Sequence, residues 1–85
     1  MASKTVKVGS SIGLHARPAT LIAQAATEAG VPVTIGLPGG NPVDAGSALL
    51  IMTLGAKFGA EVVVTSDDDA TLEKIAGMVE QDLDA

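Results

Sequence analysis

The run Gly13-Leu14-His15-Ala16-Arg17-Pro18-Ala19-Thr20 continues without a break into Leu21-Ile22-Ala23-Gln24-Ala25-Ala26-Thr27-Glu28-Ala29-Gly30. Leu21, Ile22, Ala25, Ala26 and Ala29 recur at helical spacing, which predicts a helix over 16–29, and Gly30 stands where such a helix stops. Pro18 is compatible with that helix only in its first turn, where a missing N–H has no intrahelical partner to lose. His15, the single histidine of the chain, therefore falls at a helix N-terminus beside the cation Arg17. Orphan N–H groups and the helix dipole favour an anion such as phosphate at that end. His15 is a candidate phosphate acceptor.

Working outward, residues 4–8 alternate, with Val6 and Val8 on one face and Lys7 on the other, as in a half-buried strand, and 9–14 form a loop. Downstream, 31–37 reads as a second strand with Val33, Ile35 and Leu37 on one face, and Pro38-Gly39-Gly40-Asn41 as a turn. Pro42 and Val43 begin a short return strand at an edge, because proline cannot donate to a ladder, and 44–46 is another break. Ala48-Leu49-Leu50-Ile51-Met52 is strand or helix by periodicity alone; Ser47 in the N-cap position favours a short helix. A connector over 55–59 leads to a strand over 60–65, whose Val62-Val63-Val64 has the β-branched density of a central strand. Ser66 and Asp67-Asp68-Asp69 supply an N-cap and favourable charge for a final helix with Leu72, Ile75, Ala76, Val79 and Leu83 as its buried stripe. The order β-α-β-β-α-β-α, with one half-apolar face per strand, predicts an α+β fold: a four-stranded sheet covered by helices on one side.

Eighty-five residues predict a single domain spanning 1–85, since a chain of this length buries only roughly 60 to 65% of its unfolded surface. Hydrophobic residues make up 47% of it, but Phe58 is the only aromatic, so Val, Ile, Leu, Met and Ala must tile the interior. No aromatic stacking platform is available. The absence of cysteine excludes disulfides, thiolate metal sites and cysteine nucleophiles, and fits cytosolic residence. Met1-Ala2-Ser3-Lys4-Thr5 lacks the apolar stretch of a secretory signal, and no segment approaches the roughly 20 apolar residues of a membrane span. A net charge of −5 argues against non-specific nucleic-acid binding. The charge is also uneven: residues 1–60 carry four basic groups against two acids, whereas 61–85 carry eight acids and only Lys74.

The run from Gly13 to Ala19 resembles the active-site signature of the HPr family, the histidine-containing phosphocarriers of the phosphoenolpyruvate-dependent sugar phosphotransferase system. The resemblance extends over nearly the whole chain, through its length, its element order, the Ser47 segment ending in Leu54-Gly55-Ala56, and the final helix. It implies an open-faced β-sandwich, in which three helices cover one face of a four-stranded antiparallel sheet. It also implies a relay rather than an enzyme with its own turnover: Enzyme I would phosphorylate His15, and the group would pass to an Enzyme IIA domain in sugar uptake. By the same resemblance the acceptor atom is Nδ1 of His15, Arg17 is the second catalytic residue, and Ala16, Arg17 and Pro18 bind the phosphoryl group, Pro18 by shaping the helix start.

Thr20, Leu21, Ser47, Ala48, Leu49 and Met52 become a partner-docking patch under this resemblance; on their own, the apolar members read equally as core, and exposure decides between the two. Ser47 aligns with a serine that a dedicated kinase phosphorylates in many low-GC Gram-positive relatives. Its minimum role is an N-cap contributing roughly 1 kcal/mol, and the basic residue that such relatives often carry nearby is missing. Ile12 replaces a polar side chain that often orients the histidine, leaving that orientation weaker or supplied by Ser10 or Ser11. The implied partners are Enzyme I and Enzyme IIA domains, with a serine kinase and regulatory proteins as further ones. No cofactor, metal, nucleic acid or membrane insertion is expected of a cytoplasmic monomer. Asp67 to Asp69 lack the spacing of a calcium loop, and there is no P-loop motif. Two alternatives stand beside this reading: a paralogue serving a fructose- or nitrogen-related chain, and a regulatory domain that binds through the apolar patch with His15 as a cap.

Overall fold

The structure, a computed structural model, describes residues 2–9 and 13–81. Along them run β1 (Ala2–Lys7), α1 (Ala16–Ala29), β2 (Val33–Gly36), β3 (Val43–Asp44), α2 (Ala48–Thr53), β4 (Glu61–Ser66) and α3 (Asp69–Glu80). In β4, Val62, Val64 and Ser66 are sealed from solvent while Glu61, Val63 and Thr65 between them are not. That alternation makes one face of the sheet a core wall and leaves the other open. β4 lies inside a sheet of order β1-β4-β2-β3, with every pair antiparallel, as its β-branched composition predicts.

On the inner face, Val6, Val33, Ile35, Val62 and Val64 join Ile22, Ile51, Leu72, Ile75 and Val79 from the helices in one cluster. Burial of each such side chain contributes about 1.5–3 kcal/mol. α3 lies on β1 and β4, while α1 packs beside α3 and against α2. On the open face, Ser3, Thr5 and Lys7 stand opposite Thr65, Val63 and Glu61, and the Ser3 and Thr65 hydroxyls are 3.0 Å apart in a hydrogen bond.

Several details differ from the sequence reading, each for a local reason. β1 ends at Lys7, but Val8 remains buried and its N–H donates to the Ala60 carbonyl at 2.9 Å, so the pairing continues past the regular ladder. β2 stops at Gly36, where a Cβ would stand 2.9 Å from Pro42 Cα; the chain turns there and Leu37 is 39% exposed instead of facing inward. On α1 the buried stripe runs through Ala19, Ile22, Ala23 and Ala26, which leaves Ala29 exposed and Leu21 half-buried. Asp68, not Ser66, caps α3 by accepting the Thr71 N–H, and the buried Ser66 hydroxyl instead accepts the Asp68 N–H at 3.2 Å. Leu83 lies outside the described residues. Phe58 is 66% exposed, so the core is aliphatic throughout.

Two contacts lock α3 to the start of the chain. Lys4 Nζ sits 2.9 Å from Glu73 Oε2, and this hydrogen bond and the glutamate charge raise the lysine above its ordinary value of 10.5. With Glu73 ionised, the stabilisation linked to the lysine charge is fully present below that ordinary value and fades as pH climbs through the raised one. At the other end of α3, the Gly9 N–H donates to the Val79 carbonyl at 2.9 Å, and a Cβ on Gly9 would lie 1.8 Å from the Glu80 carbonyl oxygen. Gly9→Ala is therefore expected to cost about 3 kcal/mol in urea unfolding through forced backbone displacement. Gly77→Ala, inside α3 with nothing within 4 Å of the new methyl, is expected to add about 0.5–1 kcal/mol. Equal responses of the two variants would mean that α3 does not approach Gly9 closely.

Candidate functional site

Local backbone geometry puts His15 at the N-cap of α1 in an extended conformation, with φ −91° and ψ −167°. Gly13, at φ 81°, reverses the chain just before it, and the His15 N–H donates to the Gly13 carbonyl at 2.9 Å. The His15 carbonyl begins the helix by accepting the Ala19 N–H at 2.9 Å. Its imidazole makes no capping hydrogen bond and the residue is exposed. The side chain is thus presented by a helix start without being used to build it.

In the first turn, the N–H groups of Ala16 and Arg17 precede the first intrahelical bond, and Pro18 has none to offer. Ala16 and Arg17 are exposed, whereas Pro18 is fully buried and pins the turn to the core. The Thr20 hydroxyl donates to the Ala16 carbonyl at 2.7 Å, so it reinforces the same turn. Seen from its end, this turn directs two backbone donors and one guanidinium outward, an arrangement suited to an anion.

The opposite wall comes from a part of the chain some forty residues away. Leu14, buried in the core, donates its N–H to the Ala56 carbonyl at 2.9 Å. A Cβ on Gly13 would lie 2.5 Å from that same carbonyl oxygen and 2.9 Å from Lys57 Cα. The result is a hollow of about 250 Å³ lined by Leu14, His15, Met52, Gly55, Ala56 and Lys57. Lys57 is a cation that the sequence reading placed only in a connector. Its neighbours Gly55 and Ala56 belong to the segment that carried the family resemblance, which was the available hint.

The residues expected to form a docking patch divide into two groups. Met52 shares the hollow with His15, while Thr20 and Ala48 line a separate groove of about 500 Å³ between α1 and the start of α2. None of the apolar members is core: Leu49 is 70% exposed, and Leu21, Ala48 and Met52 are half-buried. Ser47 is the N-cap of α2, with its Oγ accepting the Leu50 N–H at 3.3 Å. Ile12, Ser10 and Ser11, on which orientation of the imidazole was expected to turn, lie outside the described residues.

The model of the family described as PTS HPr component phosphorylation site matches residues 2–81. Over 87 residues the chain is 47% identical to phosphocarrier protein HPr of Streptomyces coelicolor, covering 99% of this chain and 94% of that protein. The crystal structure of an HPr phosphocarrier from Bacillus anthracis superposes with a TM-score of 0.84 at 32% identity, covering 92% of this chain and 95% of that one. HPr-C-His from Thermoanaerobacter tengcongensis superposes with a TM-score of 0.87 at 26% identity, covering 100% and 98% of the two chains.

The geometry of the hollow yields a comparison of two glycines. Gly13→Ala is expected to cost about 3 kcal/mol, because it adds a backbone collision to left-handed strain, and to shift the NMR signals of the His15 ring. Gly55→Ala has the same left-handed φ but open space, and is expected to cost only about 1 kcal/mol. Urea unfolding of both variants checks this, and equal costs would remove the close approach between the His15 turn and the Ala56 segment.

Proposed function

Because the chain belongs to the HPr family, phosphocarriers of the phosphotransferase system and not enzymes, we propose that His15 accepts a phosphoryl group from Enzyme I and passes it to Enzyme IIA domains. The observation that carries this reading is the exposed imidazole at the N-cap of α1, uncommitted to capping and sharing its hollow with Lys57. Nδ1 is the atom assigned to the bond. Its lone pair forms the N–P bond as the bond from phosphorus to the donor breaks; in the return step that N–P bond breaks and the ring keeps the electron pair.

The added charge then meets the first-turn N–H groups of Ala16 and Arg17 and the Arg17 guanidinium. Pro18 acts through packing alone, since it has no donor. Few and exposed contacts suit a transient holder, which must release its cargo to the next protein. Leu21, Ala48, Leu49 and Met52 are exposed or half-buried around this end, which supports the docking patch, with Thr20 and Ser47 at its margin. Among the described residues no helix is long and apolar enough to cross a membrane. A cytoplasmic monomer is the proposed working form, and the absence of cysteine supports that compartment.

Incubation with phosphoenolpyruvate and Enzyme I, followed by mapping of the label, tests the assignment. Wild type should carry an acid-labile, base-stable phosphate, and His15→Ala should carry none while keeping its fold. A label that survives in His15→Ala would move the site elsewhere. Arg17→Ala should slow transfer in both directions by about tenfold or more while changing stability by under about 1 kcal/mol, since an exposed cation matters more to developing charge than to folding.

Ser47 supplies a further check. Ser47→Ala should lose about 1 kcal/mol of cap stability and bind Enzyme I nearly normally in calorimetric titration. Ser47→Asp should bind it more weakly, because a carboxylate in an apolar contact adds a desolvation cost. If Ser47→Asp binds as tightly as wild type, the start of α2 is not part of the docking surface.

A further inference from the structure

Phe58 is the single aromatic residue of the chain, and the fold keeps it outside the core at 66% exposure. Burial of a phenyl ring is strongly favourable, so its position calls for a cause. The backbone supplies one. The Ala60 N–H donates to the Lys57 carbonyl at 2.9 Å and Gly59 has φ 82°, which makes 57–60 a tight turn with Phe58 in its second place and glycine in its third. The Gly59 N–H donates to the Val8 carbonyl, and the Val8 N–H to the Ala60 carbonyl, both at 2.9 Å. The ring therefore projects from a turn that is hydrogen-bonded internally and to the strand side of the His15 loop.

Its surroundings specify what it can meet. Lys57, the preceding residue, lines the hollow that contains His15, and α2 brings Met52 to that hollow and the exposed Leu49 nearby in sequence. Residues 1–27 and 45–60 contain no acidic residue, although the chain as a whole has net charge −5. Lys57 in the wall of the hollow and the exposed Arg17, two residues past His15, carry charge opposite to that of the whole chain.

We propose that Phe58 is the anchor by which the protein exchanging phosphoryl groups with His15 recognises this chain, its ring entering an apolar pocket on that partner rimmed by carboxylates that meet Arg17 and Lys57. The proposal rests on the carrier reading of His15. Rigid aromatics seated in a pocket, with a charged rim around them, are the contacts that dominate protein–protein affinity. A second copy of the chain is a poorer occupant, since it would set like cations against each other. A bilayer is poorer too, because two cations attract an anionic surface only weakly while the net charge of −5 is repelled by it.

The test is the concentration dependence of phosphoryl transfer from phosphoenolpyruvate-charged Enzyme I to the full chain, with wild type, Phe58→Ala, Phe58→Leu and Phe58→Tyr. Phe58→Ala should raise KM about tenfold with kcat within about twofold and an unchanged melting temperature; Phe58→Tyr should restore KM and Phe58→Leu should fall between. A KM within about twofold of wild type for Phe58→Ala, or a loss confined to kcat, overturns the anchor while a normal label at His15 leaves the carrier reading intact. Absence of label at His15 in wild type removes both. A dimer in sedimentation equilibrium, or co-sedimentation with phosphatidylglycerol vesicles, that Phe58→Ala abolishes would assign the ring to a second copy or a bilayer and also overturn the proposal.

Discussion

An interior built without a single aromatic ring constrains everything else in this fold. Valine, isoleucine and alanine fill little volume, so sheet and helices must come close together for the core to reach native density. Close layers bring backbones into contact, and the contacts fall at glycines: Gly9 against the end of α3, Gly13 against Ala56, Gly36 against Pro42. A methyl group at any of these positions would have to push backbone apart, and backbone gives way less readily than a side chain. The small core thus translates into fixed distances between distant segments.

One of those distances sets the site. The helix start presents His15 with its donors and Arg17, but only half of the hollow belongs to that element. The other half arrives because the Leu14 N–H reaches the Ala56 carbonyl while Gly13 leaves room for it. Lys57 and Met52 face the imidazole as a result of that join.

How much of this could be read in advance depended on how local each feature is. The helix over Ala16–Ala29 was legible because its period, its early Pro18 and its terminal Gly30 all lie within one stretch, and His15 at its start came with it. The central place of β4 was legible from three consecutive valines. Lys57 was not, because nothing near it in sequence reports a hydrogen bond between Leu14 and Ala56. Leu37 was misplaced by the ordinary expectation that an apolar residue in a strand pattern faces inward, which the turn closed by the Gly40 N–H on the Leu37 carbonyl overrides. At the start of α3, Ser66 and Asp68 are both good caps, and only the dihedrals of the folded chain distinguish them.

The placement of β1 has a consequence for how the molecule comes into being. β1 is made first, yet its pairing partner is β4, Val8 is bonded to Gly59 and Ala60, and Gly9 rests on the last turn of α3, so these fixed points of the N-terminal segment lie at residue 59 and beyond. During synthesis the ribosome releases β1, the His15 loop and α1 long before the residues that hold them exist. Contacts of such long sequence separation slow folding and form late, after their loop-closure entropy has been met. The end of the chain that carries His15 is therefore emitted early, and its hollow closes only once the segment reaching Lys57 has been made and has folded back onto Leu14.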